Sequence, residues 1–490
     1  MSEFVLNNMP EIFVSDSSIS AAVSEAVTRG KLRKLASRLY TRNLTERPET
    51  LVMRHWYELV TAYFPDAIIT DRTGLENRPS EDGSVFVISE KTRDVVLPGL
   101  ILRPRKGPPA LDSDTIFIGG ARLASTARAY LENMRPSRKS RKGLVTRTLS
   151  RREIEEKLEA ILRRMGVESL NRLRDEARAI APELGLEQAS EDFSEYIGTL
   201  LGTRDRAMEA PVAQARAAGN PYDPDRFVLF ERLFAELRDY SPEPRFVEQR
   251  SAKANANLSF FEAYFSNFIE GTEFSVKEAE DIVFNGVIPT ERPDDAHDVI
   301  GTYRIIVQES EMRKKVTSFE EFLNILRTRH ASIMAARHDK GPGAFKTKTN
   351  QAGTTVFVAP ELVVGTLAKG YELLEALKEP FQRAAFMMTL VSEVHPFADG
   401  NGRAARIMLN AELVQGNQER IIIPTSYRTD YLGALKALSH NQNFTPLIRM
   451  LGYAQRYTAA IDWNNLERAH EALIATGAFE EGEFARLVLP

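Results

Sequence analysis

A helix that is apolar on most of its faces runs into a short loop and a second helix, and that arrangement limits the folds open to this chain. Residues 379–394 read as a helix with Pro380 in the first turn, where a missing amide donor costs nothing. Its run of Phe381, Ala384, Ala385, Phe386, Met387, Met388, Leu390 and Val391 leaves few polar positions, so the helix belongs inside a layer of others. The string His395-Pro-Phe-Ala-Asp-Gly-Asn-Gly-Arg-Ala-Ala-Arg406 follows, and residues 407–414 continue as helix until Gly416 offers a C-cap. A helical core around one loop is the expectation.

The chain has 490 residues, enough for about three domains at roughly 150 each. Its 43% hydrophobic and 27% charged content is that of a globular protein. The longest apolar stretch, 384–391, already contains Thr389 and is far short of the ~20 residues that span a bilayer. Residues 1–10 carry Glu3 and no basic lead into an apolar run, so no secretory leader is expected and a cytoplasmic, non-membrane location is the simplest. With 0 cysteines, disulfides, thiolate zinc sites and cysteine nucleophiles are excluded. His55, His297, His330, His338, His440 and His470 show no H-x-x-H spacing, so they lend a zinc site no support.

The expected organisation is α+β and multi-domain. Residues 1–135 read as a mixed regulatory or interaction domain, 136–225 as a basic linker and helical connector, 226–460 as a helical catalytic domain, and 461–490 as a helical tail. In the first of these, a helix over 18–28 ends at Gly30, residues 31–43 form a basic hairpin or a second helix, and a longer helix covers 50–64. Strand-like runs follow at 67–70, 84–89, 95–102 and 114–118, then a helix over 125–134. The Ala/Gly/Pro-rich stretch 210–222 reads as the best linker. Net charge is −4 overall, yet residues 101–152 hold 13 basic and 3 acidic side chains, a net of +10. That island can face phosphates, or be a basic linker solvated on all sides, with a flexible core at 136–152.

The chemistry concentrates at 395–406. Gly400-Asn401-Gly402 lets backbone amides converge at a helix start, where free N–H groups and the dipole favour an anion. Arg403 and Arg406, three apart, sit on one side of the first turns and can grip further phosphate oxygens. Asp399 is a hard oxygen ligand placed for a phosphate-bridging Mg²⁺, and His395 is a base near neutral pH, held by Pro396 and Phe397. Gly400–Ala405 also fits G-x-G-x-x-A, but that fingerprint needs a preceding strand and here a helix precedes it. An ordinary capped helix-loop-helix explains any one of these residues but not the whole string. Nucleotide chemistry is the expectation.

The string resembles the signature of the Fic (filamentation induced by cAMP) family, His-Pro-Phe-x-(Asp/Glu)-Gly-Asn-Gly-Arg-x-x-Arg, at every defined position. The resemblance implies a helical bundle with a β-hairpin flap, acting as a protein adenylyltransferase that moves AMP from ATP to a Ser, Thr or Tyr hydroxyl. It implies that His395 deprotonates the hydroxyl, Phe397 anchors the loop, Asp399 holds Mg²⁺ and the amides of Gly400 to Gly402, with Asn401, form the anion hole. Arg403 and Arg406 bind the phosphate tail, Arg406 at the γ-phosphate. Upstream, Ser266-Asn-Phe-Ile-Glu270-Gly271 resembles the inhibitory motif (Ser/Thr)-x-x-x-Glu-(Gly/Asn) of the subclass whose inhibitory helix, here near 256–270, precedes the core. Glu270 is then expected to pair with Arg406, and the resemblance leaves open whether the chain also removes AMP. Gly343-Ala-Phe345-Lys346 resembles the family's Gly-x-Tyr-Arg before the hairpin at 347–359, which offers an edge to a hydroxyl-bearing protein target. Tyr431 and Asn441 fall where relatives supply adenine contacts.

Residues 23–40 resemble the short winged-helix opening of type IV abortive-infection antitoxin proteins, which implies DNA binding or, equally, recruitment of a protein. The alternative function is therefore a DNA-binding regulator of toxin-antitoxin type with a nucleotide-sensing Fic-like half. AMP versus another transferred group, and a homo-oligomer versus a monomer, are left open.

Overall fold

The computed structural model describes residues 9–138, 145–247, 250–482 and 485–490, so most of the segment read for a leader and part of the basic island (139–144) lie outside the described residues. The chain forms two compact units, Met1–Gly219 and Asn220–Pro490.

In the first unit, β1 (Ile12–Val14), β2 (Arg33–Ala36) and β3 (Leu39–Thr41) form an antiparallel sheet in the order β1-β3-β2, beside helix α1 (Ser20–Thr28). Residues 31–43 are thus the hairpin rather than a second helix. The helix expected over 50–64 is two, α2 (Pro48–Arg54) and α3 (Trp56–Tyr63), broken at His55. A mixed sheet of β4 (Ile68–Ile69), β5 (Ser84–Ile88), β6 (Val95–Leu97), β7 (Leu100–Arg105), β8 (Thr115–Ile116) and β9 (Arg122–Leu123) has the order β6-β7-β5-β4-β9-β8. The strand β5 is buried at every position, as a central strand covered on both faces must be. Helices α4 (Asp71–Glu76), α5 (Thr126–Asn133), α6 (Arg151–Leu184), α7 (Glu187–Leu200) and α8 (Pro211–Ala217) complete the unit. Ser150 and Glu153 close a capping box at the start of α6, and the helix kinks at Gly166 (φ 81°, ψ 177°).

Two expectations need correction here. The 210–222 stretch is no free linker over its first half, because α8 is helical and Ala210 and Ala213 are buried in the unit's core. Nor is the basic island solvated throughout: Lys106, Arg122, Arg135, Arg138 and Arg152 are exposed, but Arg103, Arg105, Arg128 and Arg147 are paired within the unit. Arg105 and Arg147 both pair with buried Asp71 at 2.7 Å, and Arg103 pairs with Asp94 at 3.0 Å. Arg128 is 0% exposed between Asp114 (2.5 Å) and Glu132 (3.1 Å). The charge of these four is neutralised inside the unit, which weakens the charge argument for the DNA-regulator alternative.

Among its described residues the second unit is helical apart from one hairpin, so the α+β expectation is met. Its helices are α9 (Pro224–Arg238), α10 (Ala252–Ile269), α11 (Val276–Asn285), α12 (Pro293–Val307), α13 (Glu309–Met312), α14 (Phe319–Ile333), α15 (Val363–Ala376), α16 (Pro380–Val394), α17 (Asn401–Gln415), α18 (Arg428–Asn441), α19 (Thr445–Ala460) and α20 (Leu466–Ala475). Among the described residues of 461–490, the helix is α20. Between α14 and α15, β10 (Gln351–Ala352) and β11 (Thr355–Val356) form an antiparallel hairpin turning at Gly353. Phe381, Ala384, Phe386, Met387, Met388, Leu390 and Val391 of α16 are at most 1% exposed, within one core shared with α9, α14, α15 and α17. Burying one such side chain contributes about 1.5–3 kcal/mol, so the helix leading into the α16–α17 loop is firmly held by this core. Among the described residues, no helix is long and apolar enough to cross a membrane.

Candidate active site

His395 caps α16 in the left-handed region (φ 51°, ψ 58°), a conformation that a residue with a Cβ adopts only when its surroundings impose it. Its ring stacks on Phe357 from the hairpin side at 3.8 Å with 4° between planes. Nδ1 lies 3.2 Å from the Ser392 carbonyl, so Nδ1–H donates there and Nε2 keeps the free lone pair. Burial pushes the imidazole down to about 4, so at pH 7 it is a neutral acceptor.

The loop is locked from inside. Phe397 is 0% exposed, and Asn401 both accepts from its N–H (2.8 Å) and donates to its carbonyl (2.9 Å). Asn401 therefore acts on the loop backbone. Gly400 has φ 72°, and a Cβ there would stand 2.7 Å from Met334 Sδ, so both conformation and space call for glycine. The Asp399 carboxylate, half-buried, accepts from the Gly400 N–H at 2.6 Å.

One supporting residue escaped the sequence reading. His330, on α14, is 0% exposed and stacks on Phe397 at 3.6 Å with 1° between planes. Its Nδ1 accepts from the Gly343 N–H (3.0 Å), and Nε2–H donates to the Asp399 carbonyl (2.9 Å). Burial lowers its pKa to about 4, which keeps it neutral and able to serve both partners. Nothing in a lone His-Ala-Ser triplet signals this.

The two arginines part company. Arg406 donates from Nε to Ser266 Oγ (2.9 Å), and from Nη2 to the Ser266 carbonyl (2.8 Å) and to Glu270 Oε1 (2.7 Å). Arg403 instead meets Asp298 at 2.6 Å and Asn267 at 3.3 Å, and Asp298 also holds Arg337 at 2.8 Å. Helical spacing placed both on one side, but a buried carboxylate on α12 draws Arg403 away. Glu270 ends α10, and Gly271 (φ 91°) turns the chain out. Its carboxylate also rests on the start of α17: a Cβ at Gly402 would lie 2.2 Å from Glu270 Oε1. The anion-favouring end of that helix is thus occupied by a carboxylate.

A cavity of about 350 Å³ opens over this arrangement, lined by Glu270, Gly402, Arg406, His395, Phe357 and Tyr431, with Ala352, Gly353 and Thr355 of the hairpin at its edge. Asp399, Arg403 and Asn441 do not line it. The size suits a nucleotide. Among the described residues, no cluster of three or more His, Asp or Glu could hold a metal. A lone carboxylate is nonetheless the protein ligand set that suits Mg²⁺ bound mainly through phosphates and water, and Asp399, just outside the cavity lining and adjoining the Gly400 turn, is the carboxylate of that chemistry.

Residues 319–413 match the model of the Fic/DOC family. The chain is 27% identical over 210 residues to protein adenylyltransferase fic-1 of Caenorhabditis briggsae, covering 41% of this chain and 40% of that protein. It is 26% identical over 208 residues to protein adenylyltransferase Fic of Nematostella vectensis, covering 39% and 46%. The chain thus spans less than half the length of these curated relatives. Among solved structures, Fic-1 (residues 134–508) of Caenorhabditis elegans aligns with a TM-score of 0.37 and 20% identity over 65% of this chain and 98% of that one.

Proposed function

We propose that this chain, whose residues 319–413 match the Fic/DOC family model, is a protein adenylyltransferase that moves AMP from ATP to a hydroxyl of a protein, held in an inhibited state by Glu270. The observation that carries the reading is the contact of Glu270 with both Arg406 and the start of α17, beside a neutral imidazole with a free Nε2.

In this mechanism His395 Nε2 takes the proton of the incoming hydroxyl, whose oxygen attacks the α-phosphorus. The bond to pyrophosphate breaks as the new P–O bond forms, and the proton stays on the imidazole. The Asn401 and Gly402 amides at the start of α17 and the Arg406 guanidinium stabilise the charge that develops. The negative charge of a bound triphosphate favours the imidazolium and raises the His395 pKa from about 4 toward a value better suited to proton acceptance. Asp399 would hold Mg²⁺, which neutralises phosphate charge, while Arg403, fixed by Asp298, supports the loop from behind. The 347–359 hairpin would receive the target segment as an added strand.

Glu270 inhibits by competition, because a carboxylate on Arg406 and on the helix start denies both to the phosphates. The test is transfer of label from ATP in the presence of Mg²⁺, comparing wild type, His395→Ala and Glu270→Gly. Glu270→Gly should label strongly and His395→Ala not at all. Equal labelling by His395→Ala would remove the proposed base, and unchanged labelling by Glu270→Gly would remove the inhibition.

A further inference from the structure

His395 sits in a strained backbone conformation, and the groups that hold it there come from the hairpin segment. Lys346 donates its backbone N–H to the Pro396 carbonyl (2.9 Å) and its ammonium to the Val394 carbonyl (3.3 Å). The carbonyls on both sides of the base are thus tied to one residue. The same ammonium donates to Asn350 Oδ1 (2.7 Å), and Asn350 Nδ2 donates to the Phe397 carbonyl (2.9 Å). The circuit then closes, since the Asn350 carbonyl accepts from the Phe357 N–H (3.1 Å) and the Phe357 ring lies on the imidazole at 3.8 Å.

Lys346 is 5% exposed, and among the described residues no carboxylate stands within ion-pair distance of it. A buried ammonium held by neutral acceptors alone is unfavourable for stability. Burial moves its pKa down to about 8. A methionine-like side chain would fill the space without that cost, so packing does not account for the charge.

We propose that Lys346 and Asn350 are positioning residues that hold His395 in its left-handed geometry and join it mechanically to the hairpin. This rests on the adenylyltransferase reading for its kinetic consequence, but not for its geometry. A target strand that adds to the hairpin then bears on the base through the Lys346–Asn350–Phe357 circuit, while the phosphate contacts at Gly402 and Arg406 stay outside it.

The test uses the full chain with Glu270→Gly as parent, and adds Lys346→Met, Asn350→Ala or Lys346→Arg. A misplacement of about 1 Å costs on the order of 100-fold in rate, so Lys346→Met and Asn350→Ala should lower kcat on the order of 10- to 100-fold. KM for ATP should change less than about threefold, because its anchors are untouched. Lys346→Arg should restore most of the rate, and the double variant should lose little more than either single one. Loss of kcat below about twofold, or KM rising in step with it, would overturn the proposal. If the parent itself transfers no AMP, the activity reading fails separately, and imidazole nitrogen NMR judges the clamp. His395 should be predominantly the Nδ1–H tautomer in the parent and a mixture in Lys346→Met. An unchanged tautomer would overturn the clamp.

Discussion

Replacing His330 by phenylalanine should make the second unit less stable at pH 8 but less sensitive to acid. Phenylalanine keeps the ring stacked on Phe397 and removes both ring nitrogens. That leaves the Gly343 N–H and the Asp399 carbonyl unpaired in a buried place, at about 1–3 kcal/mol each. Acid acts the other way. His330 has its folded pKa depressed from 6.5 to about 4 by burial, so below 6.5 the unfolded chain binds a proton that the folded one refuses. Stability is therefore lost as pH falls from 6.5, and the loss is complete near 4. The depression corresponds to about 3 kcal/mol. His395 is depressed in the same direction and loses stability over the same window, so only the variant isolates His330. The chain has 2 tryptophans, and in a Trp56→Phe background the remaining Trp463 reports on the second unit alone. Urea unfolding followed by its fluorescence should show His330→Phe weaker by about 2–6 kcal/mol at pH 8, with the gap narrowed by about 2–3 kcal/mol near pH 4.5. Parallel loss of stability in the two proteins between pH 7 and 5 would refute the burial of a neutral His330.

Gly400→Ala should lower the urea midpoint and reduce AMP transfer at least about tenfold, since its Cβ meets Met334 Sδ at 2.7 Å and the loop must move. Asp298→Asn should destabilise the unit by about 3–5 kcal/mol in urea unfolding, because it leaves the Arg403 cation buried without its carboxylate. Adding Arg403→Met should recover part of that loss, and a strictly additive pair would contradict the coupling. Chelating divalent cations should abolish transfer, and Asp399→Asn should raise the Mg²⁺ concentration for half-maximal transfer about tenfold or more, read from a metal titration of initial rates.

The residues that were legible in advance are those whose partners lie close by in the chain. The apolar faces of α16, the loop from His395 to Arg406 and the start of α17 are contiguous, so helix periodicity and turn chemistry suffice to place them. Glu270 lies 136 positions from Arg406, and only the family resemblance connected them. Lys346 was picked out only through the Gly-x-Tyr-Arg resemblance, and His330, Asp298 and Asn350 reach the loop through tertiary contacts that no local pattern encodes. Arg403 shows the limit most plainly, because spacing defines the side of a helix but not the carboxylate waiting there. The paired part of the basic island escaped the sequence for the same reason. Its net charge counts side chains along the chain, whereas Asp71, which pairs with Arg105 and Arg147, precedes the island by about 30 positions.

A crystal structure of Glu270→Gly with ATP and Mg²⁺ would test the central claim most directly. The Arg406 guanidinium should then contact the terminal phosphate, with phosphate oxygens at the start of α17 where the carboxylate now rests. His395 Nε2 should face the side of the α-phosphorus opposite the pyrophosphate. A triphosphate bound elsewhere, with Arg406 still on Ser266 alone and the imidazole turned from phosphorus, would contradict the account.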